Sequence, residues 1–135
     1  MAENNSFRLE VITPSRRFYE GQVDMVEMNT TEGEIGVLSG HIPMTVIVKP
    51  GILNIYEQSG EEKRAALHAG FAEILPDRMT ILAEIVEWPE EIDEDRAEAA
   101  RQRAQDRISG RSPETNMARA ETALLRAMAR IHVLK

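Results

Sequence analysis

Apolar and polar residues alternate from the start of the chain. Phe7, Leu9 and Val11 are separated by Arg8 and Glu10, the period of two expected of a strand with one buried face. Thr13-Pro14-Ser15 interrupts that run, because proline cannot donate to a ladder. The same pattern predicts strands over Val23 to Asn29, Ile35 to Leu38, Met44 to Val48, Ile52 to Gln58, Lys63 to Ala69, Phe71 to Leu75 and Met79 to Val86. Between them lie turn-forming stretches: Thr30-Thr31-Glu32-Gly33, Ser39-Gly40-His41-Ile42-Pro43, Pro50-Gly51, Ser59-Gly60-Glu61-Glu62 and Pro76-Asp77-Arg78. Short strands spaced in this way predict a β-sandwich or barrel.

The pattern changes at Trp88-Pro89. Beyond it Ala, Arg and Glu dominate, and Gly110 is the last glycine. A first helix is predicted over 90–108, with Pro89 opening it and Glu90, Glu91 and Asp93 complementing its positive end. Gly110 is expected to cap it, and Ser112 and Pro113 to start a second helix over 114–131. Ile92, Ala97, Ala100, Ala104 and Ile108 on the first helix, and Met117, Ala120, Leu124 and Ile131 on the second, share three-four spacing. The expectation is an α+β chain, with a β-sandwich over 1–88 followed by an antiparallel two-helix hairpin over 89–135. Its mostly alanine seam buries about 1 kcal/mol or less per side chain. A ligand held at 100 times its Kd adds about 2.7 kcal/mol, so a bound ligand could shift this hairpin between packings.

Composition narrows the functional classes. The 135 residues carry a net charge of -7 and a pI near 5.0, which argues against a nucleic-acid binder with its basic face. Cysteine is absent, which removes disulfides and thiolate metal sites. The polar start lacks the apolar core of a secretory signal, and no run approaches the roughly 20 apolar residues of a membrane span; no direct membrane insertion is expected. His41, His68 and His132 are isolated in sequence and show no metal-ligand spacing. His41, in its Gly/Pro loop, reads as a structural or docking residue. No catalytic constellation and no metal site can be argued.

The arginines carry the chemistry. Arg96 and Arg103, seven residues apart, lie close to one helical stripe on the side of positions 93 and 100. Arg126 and Arg130 stand at i,i+4 with no acid four residues before either, where like charges repel. Four arginines without local partners on two helices that fold together point to an anion between them. A plainer reading makes Asp93 and Arg96 an i,i+3 surface pair worth about 0.2–0.5 kcal/mol. No Gly-x-x-x-x-Gly-Lys-Ser/Thr loop is present, so any phosphate would have to be held by arginine forks.

Several of these residues together resemble the epsilon subunit of bacterial F-type ATP synthases. The resemblance covers nearly the whole chain. It is carried by Glu32-Gly33-Glu34-Ile35-Gly36-Val37-Leu38 with Gly40-His41-Ile42-Pro43, by Gly70-Phe71, and by the Ala/Arg-rich hairpin. Ile92-Asp93-Glu94-Asp95-Arg96-Ala97 matches the Ile/Leu-Asp-x-x-Arg-Ala pattern of members that bind ATP in the folded hairpin. Arg103, Arg126 and Arg130 fall where that pattern has further arginines, and Glu87 where it has an acid.

The resemblance implies a non-catalytic rotor subunit on the cytoplasmic face of the bacterial plasma membrane, held there peripherally. Its sandwich would dock on the gamma subunit and the c-ring, and its extended hairpin would reach the catalytic alpha/beta subunits and inhibit hydrolysis. ATP, with or without Mg2+, would be a regulatory ligand of the compact form, and no cofactor would be required. Arg103, Arg126 and Arg130 would take the phosphates, and Arg96 either phosphate or the face of the nucleotide. Asp93 would accept from the adenine amino group, and Ile92 and Ala97 would touch the base. A competing reading is a small β-sandwich enzyme or ligand-binding module with a helical dimerisation tail. The tail lacks the sustained heptads that this would need.

Overall fold

The structure is a computed structural model that describes residues 5–110 and 114–135. Nine strands come first: β1 (Phe7–Ile12), β2 (Arg17–Thr30), β3 (Gly33–Leu38), β4 (Met44–Val48), β5 (Gly51–Glu57), β6 (Glu62–Leu67), β7 (Gly70–Ile74), β8 (Arg78–Ala83) and β9 (Val86–Glu87). A 3-10 turn, Pro89–Glu91, leads to helices α1 (Glu94–Gly110) and α2 (Met117–Val133).

The long β2 organises the sandwich. Its first half pairs with β1, and its second half with β3 and β5. One layer runs β2, β1, β8, β7, β4, with β1 and β8 parallel; the other runs β3, β2, β5, β6, β9. The strand passes from one layer to the other at a register shift between Val23 and Met25. Burial shows the same event: Tyr19 and Val23 are buried before it, and Val26, Met28 and Thr30 after it. One extra residue in a strand inverts which side chains face inward. The sequence pattern marks only the second half of β2, because Arg17 to Gln22 interleaves charged residues with two adjacent buried aromatics.

Between the layers lies one apolar cluster including Phe7, Leu9, Met28, Leu53, Ile74 and Ile81. A second, small cluster joins hairpin to sandwich: Ala66 of β6 with Ala129 and Val133 of α2, flanked by Ile52, Ile92 and Leu134. Helix α2 lies on β5 and β6, and α1 packs on α2. The buried side chains of α1 are Ala97 and Ala104 alone, so the hairpin is held by little apolar area.

Both helices start later than the sequence predicts. The carboxylate of Glu91 accepts the Trp88 N–H at 2.8 Å and the chain turns in 3-10 geometry. Ile92 is then extended, and Asp93 caps α1 by accepting the Arg96 N–H at 3.1 Å. The strongest capping residue therefore lies four positions inside the predicted helix. Helix α2 is capped by Asn116, whose side chain accepts from the Arg119 N–H; the expected caps Ser112 and Pro113 lie outside the described residues. No helix among the described residues is long and apolar enough to cross a membrane.

Candidate functional site

A cavity of about 360 Å³ opens where β9, the 3-10 turn and both helices meet. Glu87, Glu91, Ile92, Asp93, Arg96, Ala97, Ala100, Arg103 and Arg130 line it. The volume is at the lower end of the roughly 300–1,000 Å³ typical of small-molecule sites. Seven of the eight residues singled out from the sequence meet here. The exception is Arg126, one turn before Arg130, whose Nη2 instead donates to Glu84 Oε2 at 3.5 Å.

The charges in the cavity are unequally committed. Arg130 Nε donates to Glu87 Oε1 at 2.7 Å. The side chains of Arg96 and Arg103 form no ion pair or hydrogen bond with any described residue. Two guanidinium forks on α1 are thus open to an anion, while Arg126 and Arg130 of α2 are held by carboxylates of the sandwich. Asp93 does not pair with the Arg96 side chain; as the α1 cap it meets the Arg96 backbone, and its carboxylate borders the cavity. The surface-pair reading of these two residues is not what the structure shows.

Sequence reasoning missed His68. It lies between β6 and β7, is fully buried, and places Nε2 3.1 Å from Glu87 Oε1, the oxygen that also receives Arg130. Its hydrogen bond, opposed by burial and assisted by Arg130, holds the Glu87 carboxyl below its ordinary range. His68 is separated from Glu87 by 19 residues, and Arg130 from Glu87 by 43, so no local spacing could reveal the trio. The one available signal was a histidine inside an otherwise apolar run, Ala65-Ala66-Leu67-His68-Ala69. Among the described residues no group of three or more His, Cys, Asp or Glu side chains is placed to hold a metal ion.

A second surface is apolar. In register across β4, β7 and β8, Ile47 faces Phe71 and Phe71 faces Leu82. Ile47 is 61% exposed and Phe71 45%, and nearby Ile42 and Leu38 reach 71% and 58%. The Gly-His-Ile-Pro loop carrying Ile42 is tied down: Gly40 at φ 83° donates to Pro76 O at 2.8 Å, and His41 Nδ1 lies 2.7 Å from Ile42 O. Apolar side chains held out this way mark an interaction surface.

Two family models account for the chain from residue 6 onward. Residues 6–89 match the beta-sandwich domain of the ATP synthase delta/epsilon chain, and residues 90–135 match its long alpha-helix domain. The chain belongs to the delta/epsilon chain family of ATP synthases. Within that family it is similar to epsilon chains. It is 43% identical to the ATP synthase epsilon chain of Caldanaerobacter subterraneus subsp. tengcongensis, over 96% of this chain and 94% of that one. It is 44% identical to that of Ruminiclostridium cellulolyticum, over 93% of each. Among solved structures, a chain of the Euglena gracilis mitochondrial ATP synthase aligns with TM-score 0.84 at 24% identity, covering 100% of this chain and 85% of that one. At that identity the likeness concerns the fold. Family membership displaces the reading as a free-standing sandwich enzyme or ligand-binding module.

Proposed function

We propose that this chain is a non-catalytic rotor subunit of a bacterial F-type ATP synthase whose hairpin binds ATP in its compact form. One observation carries the nucleotide reading. Ile92, Asp93, Arg96, Ala97, Arg103, Glu87 and Arg130 border a single cavity, and two of its guanidiniums, those of Arg96 and Arg103, have no partner among the described residues. Arginine forks bind phosphate oxygens in bidentate fashion. Arg96 and Arg103 then take the phosphates, Arg130 joins them from α2, and Asp93 with Ile92 and Ala97 meets the base. Arg126, one turn before Arg130, lies outside the lining with its guanidinium on Glu84. Phosphoryl transfer uses metal ions to bridge the phosphates, and the described residues offer no cluster placed to hold one, which supports a reading in which ATP is bound and not consumed.

Binding between α1, α2 and the junction stabilises the compact hairpin by mass action. Without nucleotide the hairpin leaves the sandwich, extends towards the catalytic alpha/beta subunits and inhibits hydrolysis. The exposed row Ile47, Phe71 and Leu82, with Ile42 and Leu38, supports docking of the sandwich on the gamma subunit and the c-ring. A chain docked in this way would sit peripherally at the cytoplasmic face of the plasma membrane.

The test is calorimetric titration of the full chain with ATP, alongside Arg103→Ala and Asp93→Ala. Saturable one-to-one binding weakened by both substitutions supports the site, whereas equal affinity in all three proteins removes it. Co-purification with gamma, lost on Ile47→Asp, tests the docking surface separately.

A further inference from the structure

We propose that His68 is a positioning residue of the hairpin site: it orients Glu87, which in turn fixes Arg130 at the cavity. The nucleotide arm of this inference rests on the function proposed above; the docking arm does not.

His68 does not line the cavity and has no exposed surface, so it acts only through a neighbour. A carboxylate has no hydrogen to give, so the imidazole must donate from Nε2 to Glu87 Oε1. The other ring nitrogen, Nδ1, is buried without a partner. A histidine retained here for packing alone would leave two polar atoms in an apolar region, at a cost that a neutral aliphatic side chain avoids. The ring instead makes one directed bond, and that bond ends on the oxygen that receives Arg130.

Glu87 belongs to the two-residue strand β9, paired to β6 only at Ala66 and Leu67. So short a strand fixes its side chain weakly, and the carboxylate needs a second restraint to present Oε1 to α2. His68, fixed at its backbone by donation to Ile85 O at 3.1 Å, supplies it. The trio spans the boundary: His68 and Glu87 stand on the sandwich, and Arg130 on the hairpin. Loss of His68 should free Glu87 to rotate, release Arg130 and open the contact between α2 and β6.

The experiment is a double-mutant cycle on the full chain with His68→Ala and Arg130→Met, read by hydrogen exchange of α2 amides relative to β5 amides and, separately, by ATP affinity. Coupling through Glu87 makes the two substitutions non-additive: each alone raises α2 opening about tenfold, and together they do little more than either. In a Glu87→Gln background the coupling should vanish. His68→Gln, whose side-chain amide can present a donor where Nε2 lies, should restore α2 protection to within about threefold of the parent. Additive effects, or failure of the glutamine variant to outperform alanine while β5 protection is unchanged, would overturn the proposal. If the parent protein binds no ATP, the nucleotide reading fails while the exchange cycle still decides the role of His68. If His68→Ala unfolds the sandwich, the glutamine variant and the Glu87→Gln by Arg130→Met cycle decide it.

Discussion

One guanidinium nitrogen of Arg16 lies 2.8 Å from each carboxylate oxygen of Glu91. The pair ties the turn between β1 and β2 to the first residues beyond the sandwich. Glu91 also accepts the Trp88 N–H, and Trp88 stacks on Phe18 with ring centroids 4.3 Å apart. The segment from Trp88 to Glu91 is therefore part of the sandwich. The first residue beyond that turn is Ile92, extended at φ -95° and ψ 129°, and its side chain packs against the cluster that includes Ala129 and Val133 of α2.

A hairpin leaving the sandwich should accordingly pivot at Ile92 and Asp93, not at Trp88-Pro89. In hydrogen exchange, α1 and α2 should open together while the Trp88 and Glu91 amides stay protected. Arg16→Met should add those two amides to the opening unit and cost only about 0.2–1 kcal/mol, the range of an exposed ion pair. Equal exchange at Trp88 and in α2 of the parent protein would move the pivot into the sandwich.

The arginines should divide by location. Arg96→Ala and Arg103→Ala each remove an uncommitted guanidinium and should weaken ATP binding by about 1.5–3 kcal/mol, the worth of a charged hydrogen bond. Arg126→Ala, which removes a residue outside the cavity lining, should cost less than either. Calorimetry gives the order directly, and a larger loss for Arg126 than for Arg103 would contradict the assignment.

The legible part of this molecule was what repeats locally. Alternation in β1, the turns at Gly60 and Pro76, and the alanine seam of the hairpin are set by neighbours within a few residues, so sequence spacing carries them. The first half of β2 was hidden because adjacent Phe18 and Tyr19 are both buried, which breaks the alternation. The stripe of Arg96 and Arg103 was visible from helical geometry. The partners of Arg126 and Arg130 were not, because Glu84 and Glu87 reach them only through the docking of α2 on the sandwich.

Acid should release the hairpin. Glu87 is held below its ordinary range first by His68 and then, against burial, by Arg130. Both the sandwich with its hairpin docked and the sandwich alone keep His68, so the share linked to docking is that of Arg130. A carboxyl depressed in the docked form stabilises docking above its undocked value and loses that contribution as pH falls through the docked value. Docking should therefore be constant around neutrality and weaken only in acid, below the Glu87 value of the undocked form, which His68 already holds under the ordinary glutamate range. Protection of α2 against pH should show this, and Glu87→Gln should flatten the profile. A profile unchanged by that substitution would mean that another carboxylate controls the contact.

Gly70 is the glycine whose missing side chain matters most. An added Cβ would lie 2.2 Å from the carbonyl oxygen of Leu82 and 2.8 Å from Cα of Ala83, both backbone atoms of β8. Backbone in a paired strand cannot yield as a flexible side chain would, so β7 and β8 must separate. Gly70→Ala should cost about 1–3 kcal/mol, the range of overpacking in a tight interior. At Gly36 an added Cβ meets nothing nearer than Glu27 Cγ at 4.0 Å, so Gly36→Ala should be tolerated and serves as the control. Gly70 is followed by Phe71, which pairs with Leu82 in the exposed apolar row. The same strain should therefore reach the docking surface. Gly70→Ala should lower both the denaturation midpoint and the recovery of the gamma subunit, whereas Gly36→Ala should leave both near the parent values. A Gly70→Ala protein as stable as the parent would show that β7 can shift away from β8 without loss.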